Sequence, residues 1–402
     1  MPGSASARRN APPCCVITAT ICLPRLIWSN SLLRPDSLQL NPHIQPFTRS
    51  GERDALPDLR KRYGVERVYN LANNENPLGP SPHVVAAIAK AASELNAYPV
   101  WSDIDLRRAI VDCIGQGLTA EHIFTGCSGF EALELITRAF LRPGDELILS
   151  SPTFSGAYQK VALPLGARVI DVPLEAATFR YRPRAVLDAV TDKTRLIMVC
   201  NPNNPTGTVI SADAFDELMQ GLPDHALVVA DEVYHHFVAD AAYPDSLKYL
   251  RAGANLVIVH SFSKAYALAG LRLGYGIAKP AIANYIAGLQ RGFHQNKLAL
   301  AAGIAACGDQ AHLQRAVDFL RGEARWLCEQ LDQLDIRYWP PAANFILFET
   351  KLPADELNQM LQKRGFLLRP QTRVGLPYCL RVSLGTRTMN QAFVAALADC
   401  LG

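Results

Sequence analysis

The feature that most constrains the fold is a series of short apolar runs that recur at intervals of about 20 to 30 residues through the middle of the chain. Most of these runs are apolar throughout instead of alternating with polar residues, which is typical of strands covered on both faces. The stretches between them have helical patterns and suit right-handed βαβ crossovers. The sequence therefore predicts an α/β fold, with a mostly parallel sheet and helices on both faces. The runs lie at residues 146–149, 167–172, 195–199, 226–230, 256–259 and 273–277.

The segments on either side of these runs have a different character. Ser81 and Pro82 predict a helix start, with Val84, Val85, Ile88, Ala92 and Leu95 on its apolar face. Beyond Gly292, a long helical pattern at 312–334 and isolated strand candidates at 345–348 and 380–383 predict a smaller α+β domain. We therefore divide the chain into a poorly ordered N-terminal extension (1–41), an arm and first helix contributing to the small domain (42–95), a large domain (96–290) and a small C-terminal domain (291–402).

Composition and charge narrow the possible function classes. The 402 residues are 49% hydrophobic and 19% charged, which excludes a disordered chain. Residues 1–41 carry four arginines and one aspartate, which accounts for the whole net charge of +3 and leaves the remainder neutral. A neutral body offers no electrostatic surface for nucleic acid or anionic membranes, so we expect a small-molecule partner.

The spacing of the ten cysteines and the length of the apolar runs indicate the cellular compartment of the protein. No two cysteines have the Cys-x-x-Cys spacing, so the sequence predicts no metal site and favours a reduced, cytoplasmic setting. No stretch approaches the roughly 18 uninterrupted apolar residues of a membrane-spanning helix, so we expect no membrane association.

Polar residues follow the apolar runs where ligands bind in parallel sheets, beyond the carboxyl ends of the strands. The run at 195–199 leads into Cys200-Asn-Pro-Asn-Asn-Pro-Thr-Gly207, a proline-stiffened turn that would hold Asn204 in one orientation. The run at 226–230 leads into Asp231-Glu-Val-Tyr234, which places a carboxylate at a strand end. Each also has a structural interpretation, as an ordinary Asn-Pro turn or as a helix-capping aspartate.

The run at 256–259 leads into the strongest chemical signal. His260 is followed by Ser261-Phe-Ser-Lys264, and Arg272 lies further along the same apolar stretch. An amine at the mouth of a buried sheet, beside hydroxyls and a guanidinium, indicates carbonyl chemistry next to an anion site. A solvated surface lysine is the alternative, and the apolar residues on both sides of Lys264 argue against it.

Together these motifs resemble the fold-type I, class I/II aminotransferases, which use pyridoxal 5′-phosphate. The histidinol-phosphate aminotransferase branch is the most similar, and the resemblance runs from about residue 45 to the C-terminus. It implies an enzyme that moves an amino group between glutamate or 2-oxoglutarate and imidazole acetol phosphate or histidinol phosphate. Three further segments carry the match to this branch, namely Asn73-Asn-Glu-Asn-Pro-Leu-Gly-Pro-Ser-Pro82, Ala97-Tyr-Pro99 and Leu380-Arg-Val-Ser-Leu-Gly-Thr386.

The resemblance implies a role at the cofactor for each matching residue. Lys264 corresponds to the lysine that binds the cofactor covalently and then moves a proton, and Asp231 to the aspartate that keeps the pyridinium nitrogen protonated. Asn204 and Tyr234 would hydrogen-bond the 3′ oxygen, and Phe154 would stack on the ring. The implied phosphate ligands are Ser261, Ser263, Arg272 and the backbone N–H groups near Ser128, Gly129 and Phe130, at a helix N-terminus.

Three more matches concern the substrate and the assembly. Arg381 matches the arginine that grips the α-carboxylate of the amino donor, with Asn204 beside it. Arg369 stands where this branch binds the phosphate end of histidinol phosphate. An ordinary surface ion pair is the alternative for both arginines. Tyr98 matches a tyrosine that reaches the cofactor phosphate of the neighbouring subunit, so the resemblance implies a homodimer with shared active sites.

The match departs from the branch next to the substrate. The branch usually reads Gly-Asn-Gly-Ser-Asp-Glu where this chain has Gly126-Cys-Ser-Gly-Phe-Glu131, so Phe130 replaces an acid. Phe154 stands where tyrosine is common, and Ser155-Gly-Ala-Tyr158 is atypical. Two alternatives on the same fold and cofactor therefore stay open, an aromatic amino-acid aminotransferase and a lyase similar to threonine-phosphate decarboxylase. A ligand-sensing domain of a DNA-binding regulator is disfavoured by the neutral body.

Overall fold

The computed structural model describes residue 43 and residues 56–402, so the predicted extension at 1–41 lies outside the described residues. The helices within 56–402 are α1 Leu56–Tyr63, α2 Pro82–Ala92, α3 Ile104–Ile114, α4 Gly129–Phe140, α5 Ser155–Ala162, α6 Pro183–Asp188, α7 Ala212–Gly221, α8 Ser246–Arg251, α9 Pro280–Ala287, α10 Lys297–Gly308, α11 Gln310–Gln333, α12 Ala354–Gln362 and α13 Arg387–Leu401. The strands are β1 Tyr69–Asn70, β2 Ile123–Gly126, β3 Glu146–Leu149, β4 Arg168–Asp171, β5 Thr194–Cys200, β6 Leu227–Asp231, β7 Leu256–Ser261, β8 Gly274–Ala278, β9 Phe345–Glu349, β10 Phe366–Leu367, β11 Arg369–Gln371 and β12 Leu376–Ser383.

The central feature is a seven-stranded sheet with the strand order β2-β8-β7-β6-β5-β3-β4. Strand β8 is antiparallel to both of its neighbours, and the other pairs are parallel. The predicted mostly parallel sheet is confirmed, and all six apolar runs form strands. Strand β2 was not predicted, because its four residues include Thr125 and Gly126 and lack a continuous apolar run.

Both faces of this sheet are covered, as the continuous apolar runs predict. Alternate residues of the central strands belong to two separate apolar cores. In β6, Val228 and Ala230 pack into one core, while Leu227 and Val229 pack into the other. Helices α4, α5 and α9 supply residues to the second core, and helices α3, α7, α8 and α10 supply residues to the first. This arrangement directs the carboxyl ends of β5, β6 and β7 toward one edge of the sheet.

The C-terminal part contains a second, three-stranded antiparallel sheet of order β11-β12-β9, accompanied by α11, α12 and α13. The strand candidate at 345–348 and the helix at 312–334 are confirmed within one or two residues. The strand predicted at 380–383 is also confirmed, but β12 begins four residues earlier, at Leu376. Strand β1 pairs in parallel with β10 and brings the segment after residue 70 beside this sheet. The backbone N–H of Ser383, in β12, donates to the carbonyl of Leu71.

Helix α2 starts as predicted, but it ends earlier than predicted and packs through a different set of residues. Its N-cap is Ser81, whose side chain accepts a hydrogen bond from the Val84 N–H, and Pro82 is its first residue. Val84 is buried, whereas Val85 is 52% exposed and Leu95, beyond the end of the helix, is 56% exposed. The prediction that Val85 and Leu95 share the packed face was wrong, because the helix stops at Ala92 and packs on α10 through other residues. In the described part of the chain, no helix combines the length and apolar character needed to cross a bilayer.

Candidate active site

A cavity of about 950 Å³ lies at the carboxyl ends of the central strands. Thirteen of the fourteen residues that the sequence singled out line this cavity. Tyr98 does not line it. The lining residues from that set are Ser128, Gly129, Phe130, Phe154, Asn204, Asp231, Tyr234, Ser261, Ser263, Lys264, Arg272, Arg369 and Arg381.

Asp231 is the last residue of β6 and is almost fully buried. Its Oδ2 accepts a hydrogen bond of 2.8 Å from the Tyr158 hydroxyl. Its Oδ1 is buried and has no partner among the described residues. Burial raises the pKa of Asp231 to about 6, and the Tyr158 hydrogen bond opposes that rise. A buried carboxylate with one free oxygen at the wall of a cavity is arranged to pair with a cationic N–H group of a ligand.

Lys264 lies three residues beyond the end of β7 and reaches back toward the N-terminal segment. Its Nζ donates a hydrogen bond of 3.1 Å to the carbonyl of Asn73 and lies 5.7 Å from the centre of the Tyr234 ring. Burial lowers the pKa of Lys264 to about 8, and the positive charges of Arg381 and Arg272 contribute to the decrease. A lowered pKa leaves a larger neutral fraction of the amine, which is the nucleophilic form.

Two arginines lie opposite each other on adjacent strands of the small sheet. Arg369 in β11 pairs with Arg381 in β12, and both side chains line the cavity. Arg381 is buried, and its Nη1 donates to Asn204 Oδ1 at 2.6 Å while its Nε has no partner among the described residues. Burial lowers the pKa of Arg381 to about 10, with Arg369 adding to the effect. Arg369 is exposed and donates from Nη2 to Asn73 Oδ1 at 3.1 Å. The pair can bind one or two anionic groups of a substrate.

The N-terminus of α4 forms an anion-binding wall of the cavity. Ser128 caps this helix in a backbone conformation of φ 94° and accepts a hydrogen bond from the Glu131 N–H. Strand β8 packs directly against this turn, where a Cβ on Gly274 would lie 2.3 Å from the Gly129 nitrogen. Glycine is therefore required at 274 for the turn to sit where it does. Ser261, Ser263 and Arg272 line the same cavity, so backbone N–H groups, hydroxyls and a guanidinium are available to a phosphate.

Tyr98 lies outside the cavity on the surface and is 80% exposed. Its ring stacks on Phe293 at 4.8 Å between centroids, and Trp101, 73% exposed, meets the same ring edge-on at 4.7 Å. In a single chain Tyr98 therefore contributes nothing to the cavity.

Sequence reasoning missed several residues of the site. Tyr158 belongs to a segment that is atypical for the branch, and no pattern in the sequence indicates that it contacts Asp231. Asn73 and Asn74 belong to a motif that the resemblance shares, but the sequence predicts no role for either, and both line the cavity. Lys160 and Arg373 also line it, and Lys160 Nζ lies 5.9 Å from the centre of the Phe130 ring.

A buried polar network connects the two motif segments behind the cavity. His260 Nε2 lies 3.2 Å from Glu232 Oε2, and His260 Nδ1 lies 3.1 Å from the Tyr275 hydroxyl. The Ser246 hydroxyl donates to the other oxygen of Glu232. Because Glu232 follows Asp231 and His260 precedes Ser261, the network holds the ends of β6 and β7 in register.

Comparisons with known proteins identify the family to which this chain is similar. Residues 66–397 match the family model of the class I and II aminotransferases. A histidinol-phosphate aminotransferase of Moorella thermoacetica is 38% identical over 347 residues, covering 86% of this chain and 89% of the relative. Histidinol-phosphate aminotransferase 1 of Nitrosococcus oceani is 37% identical over 358 residues, covering 89% of this chain and 95% of the relative.

Solved structures of the same fold are also similar. The structure of histidinol-phosphate aminotransferase from Sinorhizobium meliloti in complex with pyridoxal-5′-phosphate gives a TM-score of 0.80 at 24% identity, covering 94% of this chain and 98% of that one. A Thermus thermophilus aspartate aminotransferase double mutant gives a TM-score of 0.77 at 24% identity, covering 89% of this chain and 100% of that one. At these identities, the structural similarity establishes a common fold.

Proposed function

This chain belongs to the class I and II aminotransferases, and we propose that it transfers an amino group from glutamate to imidazole acetol phosphate, producing 2-oxoglutarate and histidinol phosphate. The observation that carries this proposal is the pair Arg369 and Arg381, in register on adjacent strands beside Lys264 in one cavity. Arg381 suits the α-carboxylate of glutamate, and Arg369 suits the phosphate monoester of the acceptor. The names of the relatives, which are 33% to 38% identical, support the same reaction.

The cofactor of this enzyme is pyridoxal 5′-phosphate, and the residues present fit it. The free Oδ1 of Asp231 would hold the protonated ring nitrogen, and the N-terminus of α4 with Ser261, Ser263 and Arg272 would hold the phosphate. Phe154, which is 43% exposed, would cover the ring. When bound, the cofactor supplies an electron sink for the charge that develops at the substrate Cα.

The remaining steps fall to the side chains of the chain itself. Lys264, whose amine is partly neutral near pH 8, would bind the cofactor aldehyde and, once released, would carry the proton to and from the substrate Cα. Arg381 would hold the α-carboxylate of glutamate through its unpartnered Nε and the groups now bonded to Asn204 and Ala72. Arg369, which is nearer to solvent, would hold the phosphate end of the acceptor.

The test is a set of half-reactions with the purified holoenzyme. Histidinol phosphate, phenylalanine and O-phosphothreonine are added separately, while loss of the cofactor's visible absorbance and the product masses are followed. We expect fast bleaching by histidinol phosphate, with imidazole acetol phosphate as the product. Faster bleaching by phenylalanine would assign the enzyme to aromatic amino acids, and release of carbon dioxide from O-phosphothreonine would make it a decarboxylase. Either result would overturn the proposed reaction.

A homodimer with shared active sites is part of the same proposal. Tyr98, Trp101 and Phe293 form an exposed aromatic cluster, and Val100, which is 68% exposed, lies between the first two in sequence. A second copy of the chain would bury this apolar surface and bring Tyr98 to the neighbouring cavity. Trp101→Glu should yield monomers in sedimentation velocity, with Tyr285→Glu, at another exposed aromatic residue, as the control. A Trp101→Glu protein that sediments like wild type would contradict the proposed interface.

We also propose the domain division and the location suggested by the sequence. Residues 96–290 would form the large domain that binds the cofactor, and residues 291–402 would form a small domain carrying both substrate arginines, with 42–95 contributing to it. The seven cysteines of the described residues are free thiols, which favours the reducing cytoplasm.

A further inference from the structure

Three consecutive residues, 72–74, contact three separate groups of the site. The carbonyl of Ala72 accepts from Arg381 Nη2, and the carbonyl of Asn73 accepts from Lys264 Nζ at 3.1 Å. The side chain of Asn74 donates from Nδ2 to the Tyr234 hydroxyl at 2.9 Å. Of these three contacts, only the one from Asn74 to Tyr234 is made by a side chain, so a substitution at position 74 can test it without removing a backbone contact.

Asn74 is held in place through all four of its polar groups. Its N–H donates to Ser383 Oγ at 2.7 Å, and its Oδ1 accepts from the same hydroxyl at 3.0 Å. Its carbonyl accepts from Asn344 Nδ2 at 2.9 Å. Because the Ser383 hydroxyl hydrogen needs an acceptor and Oδ1 provides it, the amide nitrogen of Asn74 must be the atom that faces Tyr234. The residue is 1% exposed and has φ 55°, a left-handed conformation that asparagine tolerates.

The direction of these hydrogen bonds determines what the Tyr234 hydroxyl can do. In the described residues its two hydrogen bonds are both received, one from Asn74 and a longer one of 3.5 Å from Asn204 Nδ2. Burial raises the pKa of Tyr234 to about 12, so the hydroxyl keeps its proton at neutral pH. The lone pairs face the two amides, and the proton is left for an acceptor in the cavity that Tyr234 lines.

We propose that Asn74 is a positioning residue that orients the Tyr234 hydroxyl so that it donates, and does not accept, a hydrogen bond at the phenolic oxygen of the bound cofactor. This inference rests on the proposed function, which places that oxygen beside Tyr234. A donated hydrogen bond stabilises negative charge on the phenolic oxygen and thereby lowers the pKa of the nitrogen that joins the cofactor to Lys264. Asn74 thus acts on the cofactor only through Tyr234.

The test compares holoenzymes of wild type, Asn74→Gly, Asn74→Asp and Tyr234→Phe. Glycine adopts φ 55° without strain, so Asn74→Gly removes the amide but keeps the backbone contacts to Ser383 and Asn344. Asn74→Asp keeps the shape of the side chain and offers Tyr234 an acceptor in place of a donor. The quantity measured is the pH midpoint of the change in visible absorbance of the bound cofactor. Asn76→Ala is the matched control, since Asn76 is also buried but donates to the Ala265 carbonyl.

We expect the midpoint to rise by about 1 pH unit, a tenfold change in the proton equilibrium, in all three variants and to stay unchanged in Asn76→Ala. The double variant Asn74→Gly/Tyr234→Phe should shift no further than Tyr234→Phe alone, because both changes remove the same hydrogen bond. Additive shifts would overturn the inference. A normal midpoint in both Asn74 variants beside a raised one in Tyr234→Phe would also overturn it while the proposed function stands. A wild-type protein that binds no pyridoxal 5′-phosphate would overturn the proposed function itself.

Discussion

The Tyr158 hydroxyl donates a 2.8 Å hydrogen bond to Asp231 Oδ2, across 73 positions of sequence and from a helix to the end of a strand. Both groups are buried, which strengthens the contact because the surroundings have a low dielectric constant. The bond occupies one carboxylate oxygen and leaves Oδ1 free in the wall of the cavity. Tyr158 therefore orients Asp231 and opposes the rise in the pKa of Asp231 that burial causes.

Tyr158→Phe should weaken cofactor binding at mildly acidic pH. Burial raises the pKa of Asp231 to about 6, and loss of the hydroxyl that favours the ionised form should raise it further. Since a hydrogen bond to a charged group contributes about 1.5 to 3 kcal/mol, we expect a rise of about 1 unit or more. The apparent Kd for pyridoxal 5′-phosphate of the apoenzyme, titrated by fluorescence, should then increase below about pH 7 in the variant.

Tyr181→Phe, at a buried tyrosine in the other core, is the control for this variant. Equal pH profiles for Tyr158→Phe and wild type would contradict this role.

Asp231→Ala should reduce kcat on the order of 10³-fold, because the cofactor ring loses the anion that keeps its nitrogen protonated. Steady-state transamination with glutamate as the donor measures the loss. The visible band of the protein should persist, since Lys264 is intact and still binds the aldehyde. Asp231→Glu, which keeps the charge, should recover part of the activity. A rate for Asp231→Ala within tenfold of wild type would rule out the proposed pairing.

The association of cofactor with the apoenzyme should accelerate as pH rises through about 8. Lys264 has a pKa of about 8, below the ordinary 10.5 of lysine, mainly because its ammonium group is buried. Below that pH the amine is protonated and cannot attack, and above it the amine is neutral. Stopped-flow absorbance from pH 6.5 to 10 would locate the midpoint, with Lys264→Ala as the control that forms no covalent adduct.

Arg381→Gln should raise the pH midpoint of cofactor association. The positive charge of Arg381 is, after burial, the second-largest cause of the lowered pKa of Lys264. If the midpoint of cofactor association in wild type lies above pH 10, the pKa of Lys264 is not lowered by its burial in the cavity, and this prediction is wrong.

Some parts of the site could be read from the sequence because they depend on local rules. Asp231 and Lys264 follow continuous apolar runs, and the carboxyl ends of parallel strands must meet at one edge of the sheet. The two cores on alternate residues of β6 show why those runs are continuous. The order of the motifs and the position of each relative to its strand therefore predict that a ligand binds at this edge of the sheet.

Other parts depend on tertiary contacts that have no local signature. Tyr158 is one buried aromatic residue within α5, and only the packing of that helix brings its hydroxyl to Asp231. Asn74 acquires its orientation from Ser383 and Asn344, which are hundreds of positions away in sequence. Strand β2 has too few apolar residues to be detected and is defined by its pairing with β8. Such features can be identified only once the fold is known, because each depends on a residue or strand that is distant in sequence and not on a local sequence pattern.

Arg369→Ala should impair phosphorylated substrates far more than glutamate. Arg369 lines the cavity opposite Arg381 and is exposed, and within residues 56–402 its side chain has one hydrogen-bond partner, Asn73 Oδ1, so it can turn toward a phosphate. Loss of one charge-assisted contact, about 1.5 to 3 kcal/mol, corresponds to a rise of roughly 10- to 100-fold in KM for histidinol phosphate. The KM for glutamate should change less than about threefold, since Arg381 holds its α-carboxylate. Arg373→Ala removes the same charge from the same cavity wall and is the matched control. Equal losses for both substrates would show that Arg369 shapes the cavity in general and is not the group that selects the phosphate.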